Sequence, residues 1–256
     1  MYPYLFNNKH LPTYGILFFL GIISSFLVSL FTSKKSNLNK YDMMYASAFA
    51  LCGGIIGAKT LFLISSLKFL LDNHIPFLVA FKSGFVFYGC FLGGALGYYI
   101  YCKIYKLDVI CFYDRAVVCL PLGQFIGRIG CFCAGCCYGK PTNSFLGVIY
   151  KNPIDPNVPI GVKLLPTQLF EAVFCFFLFV LLLIINNKKT KKGTKMLIYI
   201  FSYSVFRFIN EIFRYDSIRG NTGVLSTSQI ISLFLFCFAA FYYIYFYKHD
   251  YVSIFK

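Results

Sequence analysis

QLFEAVFCFFLFVLLLII occupies residues 168–185, and from Ala172 to its end no side chain carries a charge or an amide. Wound as a helix rising about 1.5 Å per residue, a block of this length matches the roughly 30 Å hydrocarbon core of a bilayer. Comparable blocks recur at 14–32, 43–67, 84–101, 109–126, 196–213 and 229–247. The chain is therefore predicted to be all-α and threaded about seven times through a membrane. Of its 256 residues 59% are hydrophobic and only 13% are charged, against about 25% charged in an ordinary soluble domain. So few charges cannot build a polar shell, which excludes a soluble globular domain and leaves one membrane-embedded domain over residues 1–256.

A formal net charge of +15 would suggest nucleic acid if the basic residues formed a stripe. They gather instead between apolar blocks: Lys34, Lys35 and Lys40; Lys103 and Lys106; Lys188, Lys189, Lys191, Lys192 and Lys195; then Lys248 and Lys256. That distribution reads as a topology signal, with no nucleic-acid partner. The positive-inside rule puts the amino end outside and the carboxyl end in the cytoplasm, as an odd number of crossings requires. The connection at 127–167 is then an external loop, and Gly135, Gly139, Pro141, Pro153, Pro156 and Pro159 give it turn rather than helix chemistry. The first block follows almost no basic segment and precedes no Ala-x-Ala site, so it is expected to stay as a helix.

An ionisable side chain at the centre of a spanning helix costs about 2.5–3.5 kcal/mol on insertion scales. Nearly all of the few polar side chains fall at the outer ends of the predicted helices: Tyr14, Tyr88, Arg128, Gln168, Glu171, Arg207, Glu211, Arg214 and Gln229. Arg207, Glu211 and Arg214 are spaced i, i+4, i+7 and share one helix face. The bland reading is that Glu211 merely neutralises the arginines for insertion. Adding Arg128 and Glu171 leaves too few carboxylates for three guanidiniums, and the surplus positive charge calls for an anion. In the outer leaflet that anion is a phospholipid phosphate, which guanidinium matches with two parallel hydrogen bonds.

Taken in order, Tyr14-Gly15, Gly57-Ala58-Lys59, SGFVFYGCFLGGALG at 83–97, GQFIGRIGCFCAGCCYG at 123–139, PTQLFE at 166–171, RFINEIFR at 207–214 and LSTSQ at 225–229 make the chain resemble the prolipoprotein diacylglyceryl transferases. The resemblance implies a multi-pass enzyme of the bacterial plasma (inner) membrane. Such an enzyme moves the diacylglyceryl group of phosphatidylglycerol onto the lipobox cysteine thiol of a prolipoprotein precursor, without a cofactor. By the same resemblance Arg128 and Arg207 bind the phosphate and stabilise the leaving group. Glu171 and Glu211 orient them or accept a proton, and Tyr88 stands where many members carry His. Tyr14, Gln168, Arg214, Lys59 and Gly139 are assigned to substrate binding.

The chain departs from the family pattern at its signature. Where Asn and later Glu are usual it has Cys131 and Cys136, with Cys133 and Cys137 beside them; Cys90 replaces a Gly, and Lys59 an Arg. Three readings of the cysteine loop stand: a tight turn of small residues, with or without a disulfide; thiol chemistry beside Arg128; or a metal site. No metal is expected, because adjacent and alternate cysteines close awkward chelate rings around one tetrahedral ion. Two further functions compete with the transferase: a divergent relative that modifies another lipid or protein thiol, and a phospholipid-binding membrane protein without chemistry.

Overall fold

The computed structural model describes residues 3–4, 12–33, 39–73, 76–82, 87–215 and 225–247. They form α1 (Thr13–Ser33), α2 (Lys40–Asp72), α3 (Phe77–Lys82), α4 (Phe87–Ile104), α5 (Val109–Ala134), β1 (Val148–Ile149), β2 (Lys163–Leu164), α6 (Thr167–Asn186), α7 (Thr194–Phe213) and α8 (Thr227–Tyr242). A π-helical turn at Tyr243–Tyr247 continues α8. Six of these helices, α1, α2, α5, α6, α7 and α8, are long and apolar enough to cross a membrane. The block expected at 84–101 corresponds to α4, which is 18 residues long but falls outside that group. Its glycines, tyrosines and Lys103 dilute its apolar content.

The helices wear their large apolar side chains outward. On α6 the buried positions are Thr167, Gln168, Glu171, Ala172, Cys175, Leu178, Leu182 and Asn186, one stripe at helical spacing. Val173, Phe177, Leu181 and Ile184 are exposed on its other side. An apolar surface this continuous suits lipid and not water. The all-α membrane fold is as expected.

The chain divides into two compact units, one made of Met1–Val28 with Asp114–Lys256, the other of Ser29–Tyr113. In the second unit α2 and α4 pack antiparallel, backbone against backbone. A Cβ built on Gly57 would lie 2.9 Å from the Gly93 Cα, and one on Gly53 3.2 Å from the Gly97 Cα. Only glycine admits that approach, the usual way apolar helices gain contact area in lipid. Lys59 is buried in this unit, its ammonium over the rings of Phe62 and Phe81 at 5.6 and 5.4 Å. Tyr88 lies in the first turn of α4, and its side chain is outside the described residues.

In the first unit α1 meets α5 at Gly21 and Gly123, where a Cβ on Gly21 would sit 3.0 Å from the Gly123 carbonyl oxygen. Val117, Val118 and Cys119 of α5 form an apolar core with Leu178 and Leu182 of α6 and Tyr199 of α7. Two expectations are corrected here. The external loop was expected from residue 127, yet α5 continues to Ala134, because Gly130 packs against Leu17 and Tyr14 of α1 rather than breaking the helix. The remaining loop is folded, with β1 paired antiparallel to β2 and a small core of Tyr138, Tyr150, Val158 and Leu164.

The second correction concerns polar residues, which were expected almost only at one depth. Asp114, Arg115, Asn186 and Lys195 are also buried. The Asp114 carboxylate accepts from the backbone N–H groups of Gly193 and Met196 at 2.9 and 2.8 Å, satisfying the open start of α7. Arg115 donates to Asn186 Oδ1 at 2.6 Å, as does Lys195 at 3.5 Å. Lys195 is thus buried in the first turn of α7.

Candidate active site

Three helices bring five charged side chains into one alternating chain. Arg128 of α5 reaches Glu171 of α6 at 2.9 Å, and Arg207 of α7 reaches the other oxygen of Glu171 at 3.3 Å. Arg207 also meets Glu211 at 2.8 Å, and Arg214 meets the same Glu211 oxygen at 3.5 Å. Both carboxylates are 1% exposed, whereas Arg128 keeps 17%. The i, i+4, i+7 face predicted on α7 is therefore real, and α5 and α6 complete it. In this chain three guanidiniums face two carboxylates.

Neutral groups hold this chain in place. Tyr203 donates to Glu171 Oε1 at 2.8 Å, and Asn210 donates to Glu171 Oε2 at 3.4 Å and to the Thr167 carbonyl at 3.3 Å. Arg207 donates to Ser228 Oγ at 3.2 Å, so α8 contributes as well. Gln229, placed by sequence at the start of the last span, closes a capping box with Ser226. Tyr203, Asn210, Thr167 and Ser228 were not singled out in the sequence. The signal available for Tyr203 and Asn210 was their position beside Arg207 and Glu211 on one helix.

The signature loop docks on the ends of α6 and α7. Gly139 forms a bridge with Arg214 and donates its N–H to the Leu165 carbonyl at 2.8 Å. A Cβ there would lie 2.8 Å from Leu165 and Thr167 atoms, so two neighbouring segments close around the glycine. Gln168 donates to the Cys136 carbonyl at 2.6 Å and accepts from the Tyr150 hydroxyl at 3.1 Å. Burial pushes the Tyr150 phenol up to about 12, which keeps that donor protonated. Thr167 donates to the Cys137 carbonyl at 2.8 Å.

Three of the four signature cysteines converge: the Cys131, Cys136 and Cys137 sulfurs all lie within 4.8 Å of one another. Cys133 does not join them, because it is two residues from Cys131 on a helix and faces another side. Hydrogen bonds from the Cys131 and Cys136 thiols hold the Cys137 thiol well below the ordinary range, aided by Arg214 and Arg128. The same bonding pushes Cys136 up. Tyr14 borders the group: its side chain packs against Gly130, the residue before Cys131.

Fold and site together define a multi-pass membrane protein that holds a chain of arginines and carboxylates among its helices. The prolipoprotein diacylglyceryl transferase family matches residues 3–245. The phosphatidylglycerol–prolipoprotein diacylglyceryl transferase of Clostridium tetani (strain Massachusetts / E88) is 40% identical over 236 residues, covering 91% of this chain and 93% of the relative. Transferase 2 of the same description from Clostridium perfringens (strain 13 / Type A) is 40% identical over 223 residues, 87% of this chain and 86% of its own. That of Clostridioides difficile (strain 630) is 31% identical over 220 residues, 86% and 84%. The chain belongs to the prolipoprotein diacylglyceryl transferase family and is a multi-pass bacterial membrane protein.

Proposed function

We propose that this chain transfers the diacylglyceryl group of phosphatidylglycerol to the cysteine thiol of a prolipoprotein, working at the outer leaflet of the bacterial plasma membrane. The lysine clusters support that orientation, with the amino end outside and the carboxyl end in the cytoplasm. The observation that carries the reading is the convergence of three guanidiniums, Arg128, Arg207 and Arg214, on Glu171 and Glu211 in one buried chain.

In the reaction the acceptor sulfur bonds to the terminal glycerol carbon of the diacylglyceryl group. The bond from that carbon to the phosphate oxygen breaks, its electron pair stays on the oxygen, and glycerol phosphate departs. The phosphate goes from one negative charge as a diester toward two as a monoester. A cationic clamp therefore binds the leaving group more tightly than the substrate, which is the differential binding that lowers a barrier. Arg128, the most exposed of the three guanidiniums, meets the phosphate first, and Arg207 supports the developing charge.

Glu171 and Glu211 each hold two guanidiniums. Taking up a proton would cost either carboxylate both partners, so their part is to aim the arginines. Tyr14, Gln168, Arg214 and Gly139 shape the surroundings of the clamp, and Lys59 and Tyr88 are assigned to substrate by resemblance.

The test is complementation. Expressed in bacteria depleted of their own diacylglyceryl transferase, the chain should restore lipidation of the precursor. Correctly inserted protein that lipidates nothing would favour a relative with another acceptor, and an Arg128→Ala form that lipidates at the normal rate would remove the phosphate assignment.

A further inference from the structure

The clamp handles the leaving group, but nothing in it takes the proton from the attacking sulfur, and the three converging thiols have no part in the transfer as derived above. Their convergence is built by the end of α5. Gly135 adopts φ 78°; its N–H donates to the Phe132 and Cys131 carbonyls at 3.3 and 3.0 Å, and the Cys136 N–H donates to the Cys131 carbonyl at 3.2 Å. This is a Schellman cap, which sets the residue after the glycine against the residue five before it. Here those two residues are Cys136 and Cys131. The Cys136 thiol also lies 3.7 Å from the Cys131 carbonyl oxygen.

Cys137 then takes φ 61°, left-handed backbone that a non-glycine residue rarely adopts. The reversal turns its side chain back toward its neighbour's, and so removes the objection that adjacent cysteines cannot serve one ion. Carbonyl bonds from Gln168 and Thr167 hold both residues there. A zinc–sulfur bond is about 2.3 Å, so three sulfurs on one tetrahedral ion stand about 3.8 Å apart. The widest separation here is 4.8 Å at most, which small side-chain rotations can close.

Three thiolates around a divalent cation carry one net negative charge, and Arg128 and Arg214 are the cations that act on Cys137. Thiolates select soft, zinc-like metals over magnesium or calcium. Among the described residues no fourth His, Cys, Asp or Glu joins the group. Structural zinc sites close with four protein ligands, whereas three protein ligands leave a position for a substrate. The clamp is near: Thr167 and Gln168, which hold the cysteine loop, precede Glu171 by about one helical turn.

We propose that Cys131, Cys136 and Cys137 bind a zinc-like divalent cation with one coordination position open, and that this position receives the acceptor thiol. The second half of this proposal rests on the transferase reading above. The acceptor thiol gives its proton to solvent water and binds as thiolate. Its sulfur attacks the glycerol carbon, the carbon–oxygen bond breaks, and the electron pair leaves with the glycerol phosphate held by Arg128 and Arg207. The product thioether is neutral and a weaker ligand, so it departs. No electron is gained or lost by the metal.

The test uses the full chain, reduced and freed of metal, in nanodiscs of phosphatidylglycerol and phosphatidylethanolamine, titrated with Co2+ and then Zn2+. One cobalt per chain should give a sulfur-to-cobalt charge-transfer band that zinc abolishes. Cys136→Ser and Cys137→Ser should each weaken binding by more than about 100-fold, since even outer-shell partners of metal ligands are worth roughly 10- to 100-fold. Cys133→Ser should bind as the parent does. A well-folded parent with no such band, or a Cys136→Ser form that keeps it, overturns the site. With a lipobox peptide, the metal-free protein should be slower than the zinc-loaded protein by at least about 100-fold, the lower end of a general-base contribution. Equal rates would overturn thiol binding at the metal while leaving the transferase reading intact. Metal binding without lipidation in either form would sink the transferase reading and leave the site standing.

Discussion

Glu171→Gln is the most informative single change. Its carboxylate bridges Arg128 on α5 and Arg207 on α7, at 2.9 and 3.3 Å, and it is 1% exposed. Removing its charge takes one of the two carboxylates away from the three guanidiniums of the chain. Removing one partner of a buried ion pair typically costs about 3–5 kcal/mol. At about 2–4 °C per kcal/mol for a chain of this size, that is a fall in unfolding temperature of roughly 10 °C.

The loss should depend on lipid, because a phosphate can supply the missing negative charge. Thermal unfolding would be followed by intrinsic tyrosine fluorescence in phosphatidylcholine and in phosphatidylglycerol nanodiscs, for the parent and for Glu171→Gln. Both surfaces bear one phosphate per lipid, but only the second has net negative charge. The substituted protein should therefore recover part of its loss in phosphatidylglycerol, and recover more than the parent gains. Transfer activity should still fall, since Arg128 and Arg207 lose the group that spaces them. Unfolding at the parent's temperature in both lipids would refute the ion-pair chain as the tie between α5, α6 and α7.

Other outcomes are expected from the same structure. Arg128→Ala should lower transfer by about 10²- to 10³-fold, the cost of deleting one donor to a developing anion, with Arg128→Lys intermediate because it keeps charge but loses the planar fork; release of glycerol phosphate reads both. Gly57→Leu should force α2 and α4 apart, since even a Cβ there would lie 2.9 Å from the Gly93 Cα, and should show as faster proteolysis within Ser29–Tyr113. In metal-free protein Cys137 should react with a small methanethiosulfonate at neutral pH while Cys136 does not. Its lowered pKa keeps the thiolate as pH falls below the ordinary thiol range, and reactivity should disappear only on further acidification.

The membrane class could be read from sequence because lipid imposes it directly: an apolar block such as 168–185 has few other uses. The arginines and carboxylates of the site were legible for a related reason, since a charge in such a block needs a partner. Partners across helices were harder. Nothing in the spacing of Arg128 and Glu171 says that they meet, and the network from Tyr203 and Asn210 uses residue types common on any helix. The Asp114–Gly193 contact was missed because a capping carboxylate can come from a helix distant in sequence. The helical run through Gly127 and Gly130 was hidden as well, for glycine weakens a helix in water but permits close packing in a membrane. The cysteine loop was ambiguous because its meaning lies in backbone angles at Gly135 and Cys137, which four nearby cysteines do not specify.

The opening turn of α6 has a consequence for how the protein can vary. Thr167 and Gln168 grip the cysteine loop, and Glu171, one turn further on, sets the spacing of two guanidiniums. Both ends of the chemistry ride on one short shaft. A single-residue insertion between Pro166 and Glu171 would rotate everything beyond it by about 100°, and the cysteine loop and the arginines would fall out of step together. Length in this turn is therefore closed to drift, while the lipid-facing side of the same helix can exchange one apolar residue for another.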